Sequence, residues 1–382
     1  MLYCTLYKML RTLVIFILAT LYSLGCTAQQ CYVFVGSYNK DKSKEGIYVF
    51  EMDTISGALT KVSAVDSVLN PAYLTLSPNG KFVYACTDAK TPGAGSVSSF
   101  AFNPKSKTLT YINSQKSGGE NPVYVSVHPG GKWLVNANYT EASVSAYPLT
   151  TDGTIKEARE LIKFEGSSLN KDRQEKAHTH SSVFSPKGDY VFIPDLGSDK
   201  IWCYRFDSLA GGPLKYADTP FITTAPGSGP RHLVFHPNGK FAYCTEELTG
   251  TVSTYSYANG TLTSLQRINA HPDSLKDGFS GSDIHVSADG KFLYSSNRGF
   301  ENNIAIFAIK HNGKLKVKGY HTSGGNHPRI FALTPTGKFI VVANQVTGNV
   351  VVFKRDEKTG LMEDTGIEVK VEGASCVKIR QY

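Results

Sequence analysis

Gly229-Pro-Arg-His-Leu-Val-Phe-His-Pro-Asn-Gly-Lys-Phe-Ala-Tyr-Cys-Thr-Glu-Glu-Leu248 reads as strand, tight turn, strand. Leu233 and Phe235 before the turn, and Phe241 and Tyr243 after it, mark two short runs rich in β-formers. Between them Pro237 presets φ for a turn, and Asn238-Gly239 supplies residues that tolerate positive φ. A hairpin lays the two ends of the stretch side by side. Arg231 and His232 therefore share a rim with Glu246 and Glu247. Two groups able to carry positive charge beside two carboxylates form a constellation suited to chemistry.

The stretch recurs along the chain. Ser77-Pro-Asn-Gly-Lys-Phe-Val-Tyr84, His128-Pro-Gly-Gly-Lys-Trp-Leu-Val135 and Ser185-Pro-Lys-Gly-Asp-Tyr-Val-Phe192 match it, as do Ser287-Ala-Asp-Gly-Lys-Phe-Leu-Tyr294 and Thr334-Pro-Thr-Gly-Lys-Phe-Ile-Val341. Its turn glycines are Gly80, Gly131, Gly188, Gly239, Gly290 and Gly337, spaced by 47 to 57 residues. A repeat of about 40–50 residues built from short strands is the signature of a β-propeller blade. Each copy is followed by two more strands, as in Ser96 to Phe102 then Leu109 to Ile112, and no segment shows sustained helical periodicity. The run from Cys31 to Tyr38 has no such hairpin before it, but Gly373 to Ile379 resembles the inner strand Asn70 to Leu76. The expectation is an all-β, seven-bladed propeller of four-stranded antiparallel blades. The C-terminal strand completes the first blade and leaves no open edge.

Residues 1–28 read as an export signal outside the fold. Lys8 and Arg11 form a basic start, and Thr12 to Gly25 an apolar run shorter than the roughly 20 residues of a membrane span. Cleavage is expected after Ala28, with lipoprotein processing at Cys26 as the alternative, and residues 29–382 form the propeller. The compartment is then periplasmic or extracellular. The formal charge of +8 falls to +6 once Lys8 and Arg11 are lost. Lysines are scattered through turns without interleaved aromatics, which favours a small anionic ligand over nucleic acid. Cys31, Cys86, Cys203, Cys244 and Cys376 lie without Cys-x-x-Cys spacing, most within strand patterns, and read as buried thiols. One disulfide among them is the alternative in an oxidising compartment.

Counting from each turn makes the rim positions comparable. Arg231 is matched by Ala72, Val123, His180, Ser282 and Arg329, and His232 by Asp283. Glu246 and Glu247 are matched by Asn138 and Tyr139, Asp195 and Leu196, Asn297 and Arg298, and Asn344 and Gln345. Polar identity rises sharply in the third to sixth copies at one channel mouth, which points to a ligand site. The insertion from Gly166 to Ala177 leads directly into His178-Thr-His180 and is placed to overhang that mouth.

The Gly229-Pro-Arg-His motif, Tyr243-Cys-Thr-Glu-Glu-Leu248, Asp283-Ile-His285 and Pro328-Arg329 resemble the propeller-type 6-phosphogluconolactonase family, which includes carboxymuconate lactonising enzymes. The resemblance covers essentially all of the chain beyond the signal. It implies lactone chemistry without an essential metal or cofactor, and His180, Arg231, Glu247 and Arg298 as catalytic residues. His232, Glu246, Asp283, His285, Asn297 and Arg329 complete the set expected to bind substrate. Lactone hydrolysis needs a base for water, a donor for the oxyanion and an anchor for substrate charge. Glu247 or His180 fits the first role, Arg231 the second, and Arg298 or Arg329 the third. The plainer reading makes Arg231 and Glu247 a rim salt bridge.

A metal pair at His178 and His180, supplemented by Glu246, Asp283 or His285, lacks a third ligand at a diagnostic spacing. Ser181 and Ser182 sit in no nucleophile elbow. His128 and His236 belong to the turns. Two readings compete with hydrolysis: muconate-type lactonisation, and an exported propeller that binds a sugar or protein without catalysis. Export itself sits oddly with a cytosolic phosphorylated lactone, and so bears on the substrate more than on the chemistry.

Overall fold

Each of the six hairpins of the repeat forms the two inner strands of a four-stranded antiparallel sheet, and with a seventh sheet joined from both ends these make up the described residues. The computed structural model describes residues 29–382 together with Tyr3. The export signal assigned to residues 1–28 lies, Tyr3 apart, outside the described residues. Among the described residues no helix is long and apolar enough to cross a membrane.

The fifth blade shows how the sequence builds the unit. Its strands are Pro230–Phe235, Phe241–Glu246, Thr251–Ala258 and Thr261–Asn269, in that order across the sheet. The Gly239 N–H donates to the His236 carbonyl at 2.9 Å, and the His236 N–H to that of Phe241 at 2.9 Å. Gly239 closes this turn at φ 67°, where a side chain would be strained. His236 Nε2 meets the Gly290 carbonyl of the sixth blade at 2.9 Å, so this turn histidine stitches neighbours together. Blades pack face to face: Leu233, Ala242, Cys244 and Tyr255 lie on Phe192, Ile201 and Cys203 of the fourth. Apolar area buried in this way, at about 25 cal/mol per Å², is the main stabilising term. Cys31, Cys86, Cys203, Cys244 and Cys376 are all buried free thiols.

The first blade is assembled from both ends of the propeller. Cys31–Ser37 pairs with Ile47–Met52 on one side and with Ala374–Gln381 on the other, Cys31 opposite Gln381 and Gly36 opposite Cys376. Arg380 donates to the Ser77 and Pro78 carbonyls at 3.2 and 2.8 Å, and the Tyr382 hydroxyl to Gly80 at 2.7 Å. The closing strand thus also grips the hairpin of the second blade. Deleting residues 373–382 removes the inner strand of one blade and its grip on the next. The loss of several kcal/mol should lower the melting temperature by about 10 °C or more, or prevent folding. A truncated protein that melts with the full-length chain would contradict this closure.

Candidate active site

At the rim, the inner strands leave register by one residue. Pairing runs from Pro230 with Glu246 to His232 with Thr245, so Arg231 has no place in the ladder. The same shift frees Val123 in the third blade, Arg329 in the seventh, and Ser282 with Asp283 in the sixth. In the fourth blade Thr179 bridges Asp195, which puts His180 at the equivalent point. A bulge re-aims the side chain it frees. Here it turns the apolar-in, polar-out habit of a strand into a ring of side chains around the channel mouth.

Glu247 gathers the arginines of that mouth. Its Oε2 accepts from Arg231 Nε at 2.9 Å and Arg298 Nη2 at 2.8 Å, and its Oε1 from Arg173 Nη2 at 2.6 Å. Burial works to raise the Glu247 pKa, and Arg298, Arg231 and Arg173 together outweigh it, holding the carboxyl well below the usual carboxylate range. Arg231 is fully buried. Burial, then Arg298 and Arg329, pull its guanidinium down to about 9, still charged at neutral pH. Its Nη1 donates to the Ser282 carbonyl at 2.8 Å and to His232 Nε2 at 3.2 Å. Its Nη2 is enclosed and has no partner.

His180 is buried as well, its ring 5.6 Å from that of Tyr139 and 5.2 Å from that of His232. Its Nδ1 also lacks a partner. Burial and the positive charge of Arg231 keep its pKa well below the usual imidazole value, so the ring is neutral at pH 7. A buried polar atom left unpaired costs about 1–3 kcal/mol. Two such atoms on residues at equivalent positions of adjacent blades suit a site that holds a polar ligand.

The structure separates the other candidates. His232 accepts from Arg231 at Nε2, so its Nδ1 carries the hydrogen and donates to Asp283 Oδ1 at 2.8 Å. Asp283 Oδ2 accepts in turn from His285 Nε2 at 2.8 Å. Burial and Arg231 push the His232 pKa down to about 3. His232, Asp283 and His285 line a cavity of about 350 Å³ with Tyr73, Tyr124 and Lys378, bounded by the turn residues His236 and Pro237. The first correction to the rim alignment is that Asp283 and His285 reach Arg231 only through His232, while lining this cavity themselves. Glu246 is a second correction. It turns into its own blade, where Ser253 donates at 2.6 Å and Arg267 Nε at 2.6 Å. Alternation along the strand puts it on the opposite side from Glu247. Asn297 commits its Nδ2 to Asn303 Oδ1 at 2.9 Å and to the Ala270 carbonyl, while its Oδ1 is enclosed without a partner. Arg329 remains at the mouth but contacts the Tyr38 ring rather than Glu247.

Sequence reasoning missed Arg173, Lys90 and Tyr38. Arg173 comes from the overhanging insertion, and also donates to the Tyr139 hydroxyl at 3.2 Å. His178 belongs to the same latch, stacked on Tyr139 at 4.4 Å with its Nδ1 and Nε2 at 3.0 and 3.1 Å from the Tyr139 carbonyl and Glu175. It makes no metal pair with His180. Among the described residues no three His, Cys, Asp or Glu side chains are arranged to hold a metal ion. Tyr38 was within reach of the alignment, because Ser37 pairs with Ala374 as Glu246 pairs with Pro230.

Replacing Glu247 by Gln leaves three guanidiniums without their shared counter-charge. The variant should be less stable by about 3–5 kcal/mol at neutral pH. Because the folded pKa of Glu247 is depressed, its contribution is complete above the unfolded value near 4.3 and is lost as pH falls toward the folded value. Denaturant titrations of both proteins should show a constant gap above about pH 5 that narrows in acid. A gap absent at pH 7 would contradict the clamp.

Comparison with known proteins agrees with this architecture. A family model described as Lactonase, 7-bladed beta-propeller, matches residues 32–379. The chain is 42% identical to a 6-phosphogluconolactonase of Formosa agariphila, over 92% of this chain and 99% of that protein. It is 36% identical to a 6-phosphogluconolactonase of Bacillus subtilis, over 90% of this chain and 97% of that protein. Among solved structures, the periplasmic gluconolactonase PpgL of Pseudomonas aeruginosa superposes with a TM-score of 0.87 at 34% identity, covering 92% of this chain and 99% of that one. The protein belongs to the seven-bladed β-propeller lactonase family.

Proposed function

We propose that this protein hydrolyses a sugar-acid lactone, 6-phosphogluconolactone or a close relative, at the channel mouth, with Arg231 and His180 acting on the reacting carbonyl. The observation that carries the reading is the Arg231 guanidinium, held by Glu247, His232 and Ser282 with Nη2 left without a partner, together with the unpartnered Nδ1 of the buried His180. Attack of water on the lactone carbonyl puts negative charge on its oxygen. A donor fixed before the reaction stabilises that charge without reorganising, and Arg231 Nη2–H is such a donor.

The attacking water must lose a proton, and the electrostatics favour His180 over Glu247 as its acceptor. Glu247 is committed to three arginines and its basicity is suppressed. His180 is neutral, with a lone pair to offer, and its low basicity reflects burial and nearby positive charge. An anionic substrate in the mouth offsets that charge and raises the basicity of His180 when it is needed. The tetrahedral intermediate then collapses, the bond from carbonyl carbon to ring oxygen breaks, and the proton held by His180 passes to that oxygen to give the hydroxy acid. Glu247, His232 and Arg298 act as positioning residues.

The reading extends to an exported, periplasmic or secreted enzyme of carbohydrate metabolism. Support comes from the basic-then-apolar pattern of residues 1–28.

Steady-state kinetics on gluconolactone and 6-phosphogluconolactone test the assignment. Arg231→Lys keeps the charge but loses the planar fork, and should lower kcat by about 10²–10³. His180→Gln should lower kcat comparably while its melting temperature stays within a few degrees of wild type. Two variants that melt early yet turn over normally per folded molecule would make the cluster scaffolding instead.

A further inference from the structure

We propose that the mouth is divided, and that Lys90 and Arg329, flanking Tyr38, form a separate subsite that reads a phosphate monoester on the substrate. This rests on the lactonase reading above and adds to it the residues that select the substrate's charge. Tyr38 takes, in the closed first blade, the position that Glu247 takes in the fifth. It is reached from both neighbouring blades. Lys90 follows the second-blade strand Phe82–Thr87, and its Nζ lies 4.2 Å from the centre of the Tyr38 ring. Arg329 stands in the seventh-blade strand Pro328–Leu333, its guanidinium carbon 5.3 Å from the same ring.

The charges there are not balanced by the protein. Among the described residues neither Lys90 nor Arg329 pairs with a carboxylate, and Glu247 is already taken by Arg173, Arg231 and Arg298. Each of the two cations stands within cation–π distance of the Tyr38 ring. The hydroxyl of Tyr38 is enclosed and has no hydrogen-bond partner. Lys90 itself is held in the left-handed region at φ 58°, a conformation unfavourable for a residue with a side chain. Its N–H is tied to Asn121 Oδ1 at 3.2 Å. Partial burial, then the charges of Arg329, Arg298 and Lys40, pull the Lys90 ammonium down to about 8. Crowded like charges of this kind are relieved by a bound anion.

Position separates this group from the reacting one. His180, Arg231 and Arg298 belong to the fourth, fifth and sixth blades, whereas Arg329, Tyr38 and Lys90 belong to the seventh, first and second. The carbonyl and the phosphate of 6-phosphogluconolactone sit at opposite ends of its carbon chain, so one molecule can address both groups. A phosphate monoester brings nearly two negative charges at pH 7 and a carboxylate only one. Two uncompensated cations match the former.

The test uses the ratio of kcat/KM for 6-phosphogluconolactone to that for gluconolactone, with calorimetric binding of 6-phosphogluconate and gluconate alongside. In Lys90→Gln and in Arg329→Gln the ratio should fall about ten- to a hundredfold, mainly through KM for the phosphorylated lactone, as expected for loss of one charge-assisted contact. The preference for 6-phosphogluconate over gluconate should fall with it. Hydrolysis that slows equally on both lactones, leaving the ratio unchanged, would overturn the subsite while leaving the lactonase reading standing. A wild-type protein that cleaves neither lactone, yet binds 6-phosphogluconate through Lys90, would do the reverse. Equal binding of the two acids by the wild type would also overturn the subsite.

Discussion

One buried carboxylate governs the electrostatics of this molecule. Glu247 faces three guanidiniums within 2.9 Å, in a place where neither it nor Arg231 is solvated. Charges taken out of water are tolerated only with a partner in good geometry. Without Glu247 the arginines would repel one another and spread apart. With it, the Arg231 fork has one orientation, and the N–H that remains unused points to one place. On the mechanism we propose, Glu247 is the counter-ion that aims Arg231, and the base it resembled in the sequence is His180.

The propeller supplies what that aim requires. Ring closure by Ala374–Gln381 fixes the spacing of the inner strands, and a one-residue bulge in several of them turns the freed side chain to the mouth. From the other side the chain His285–Asp283–His232 sets the tautomer of His232 and completes the hold on Arg231. Such orienting partners behind a functional group commonly matter as much as the group itself. The unpaired atoms at Arg231 and His180 run against folding, and the apolar interfaces between blades carry that cost.

Much of the fold was legible because it is written many times. The turn glycines, the inner-strand likeness of Gly373 to Ile379 and the polar change at Arg231, Glu247, Arg298 and Arg329 all follow from aligning one repeat with another. Side-chain direction was not legible at the same positions. Glu246 and Glu247 are adjacent, and only the pleat decides that Glu246 joins Arg267 while Glu247 joins Arg231. Asp283 aligned with His232 correctly, yet both lie one step below the mouth, beyond the resolution of a rim alignment. Arg173 escaped because it sits in an insertion with no counterpart in other blades. Lys90 escaped because its reach to Tyr38 depends on the split blade being closed.

The central claim is that Arg231 Nη2 and His180 Nδ1 are kept free for the reacting carbonyl group. A crystal structure of the complex with 6-phosphogluconate, the hydrolysis product, examines it directly, because the product's carboxylate retains the former lactone carbonyl. The account predicts a carboxylate oxygen about 2.7–3.1 Å from Arg231 Nη2, with His180 Nδ1 beside it. The acid seated instead in the lower cavity against Lys378 and His285, or at the mouth with Arg231 Nη2 untouched, would contradict it.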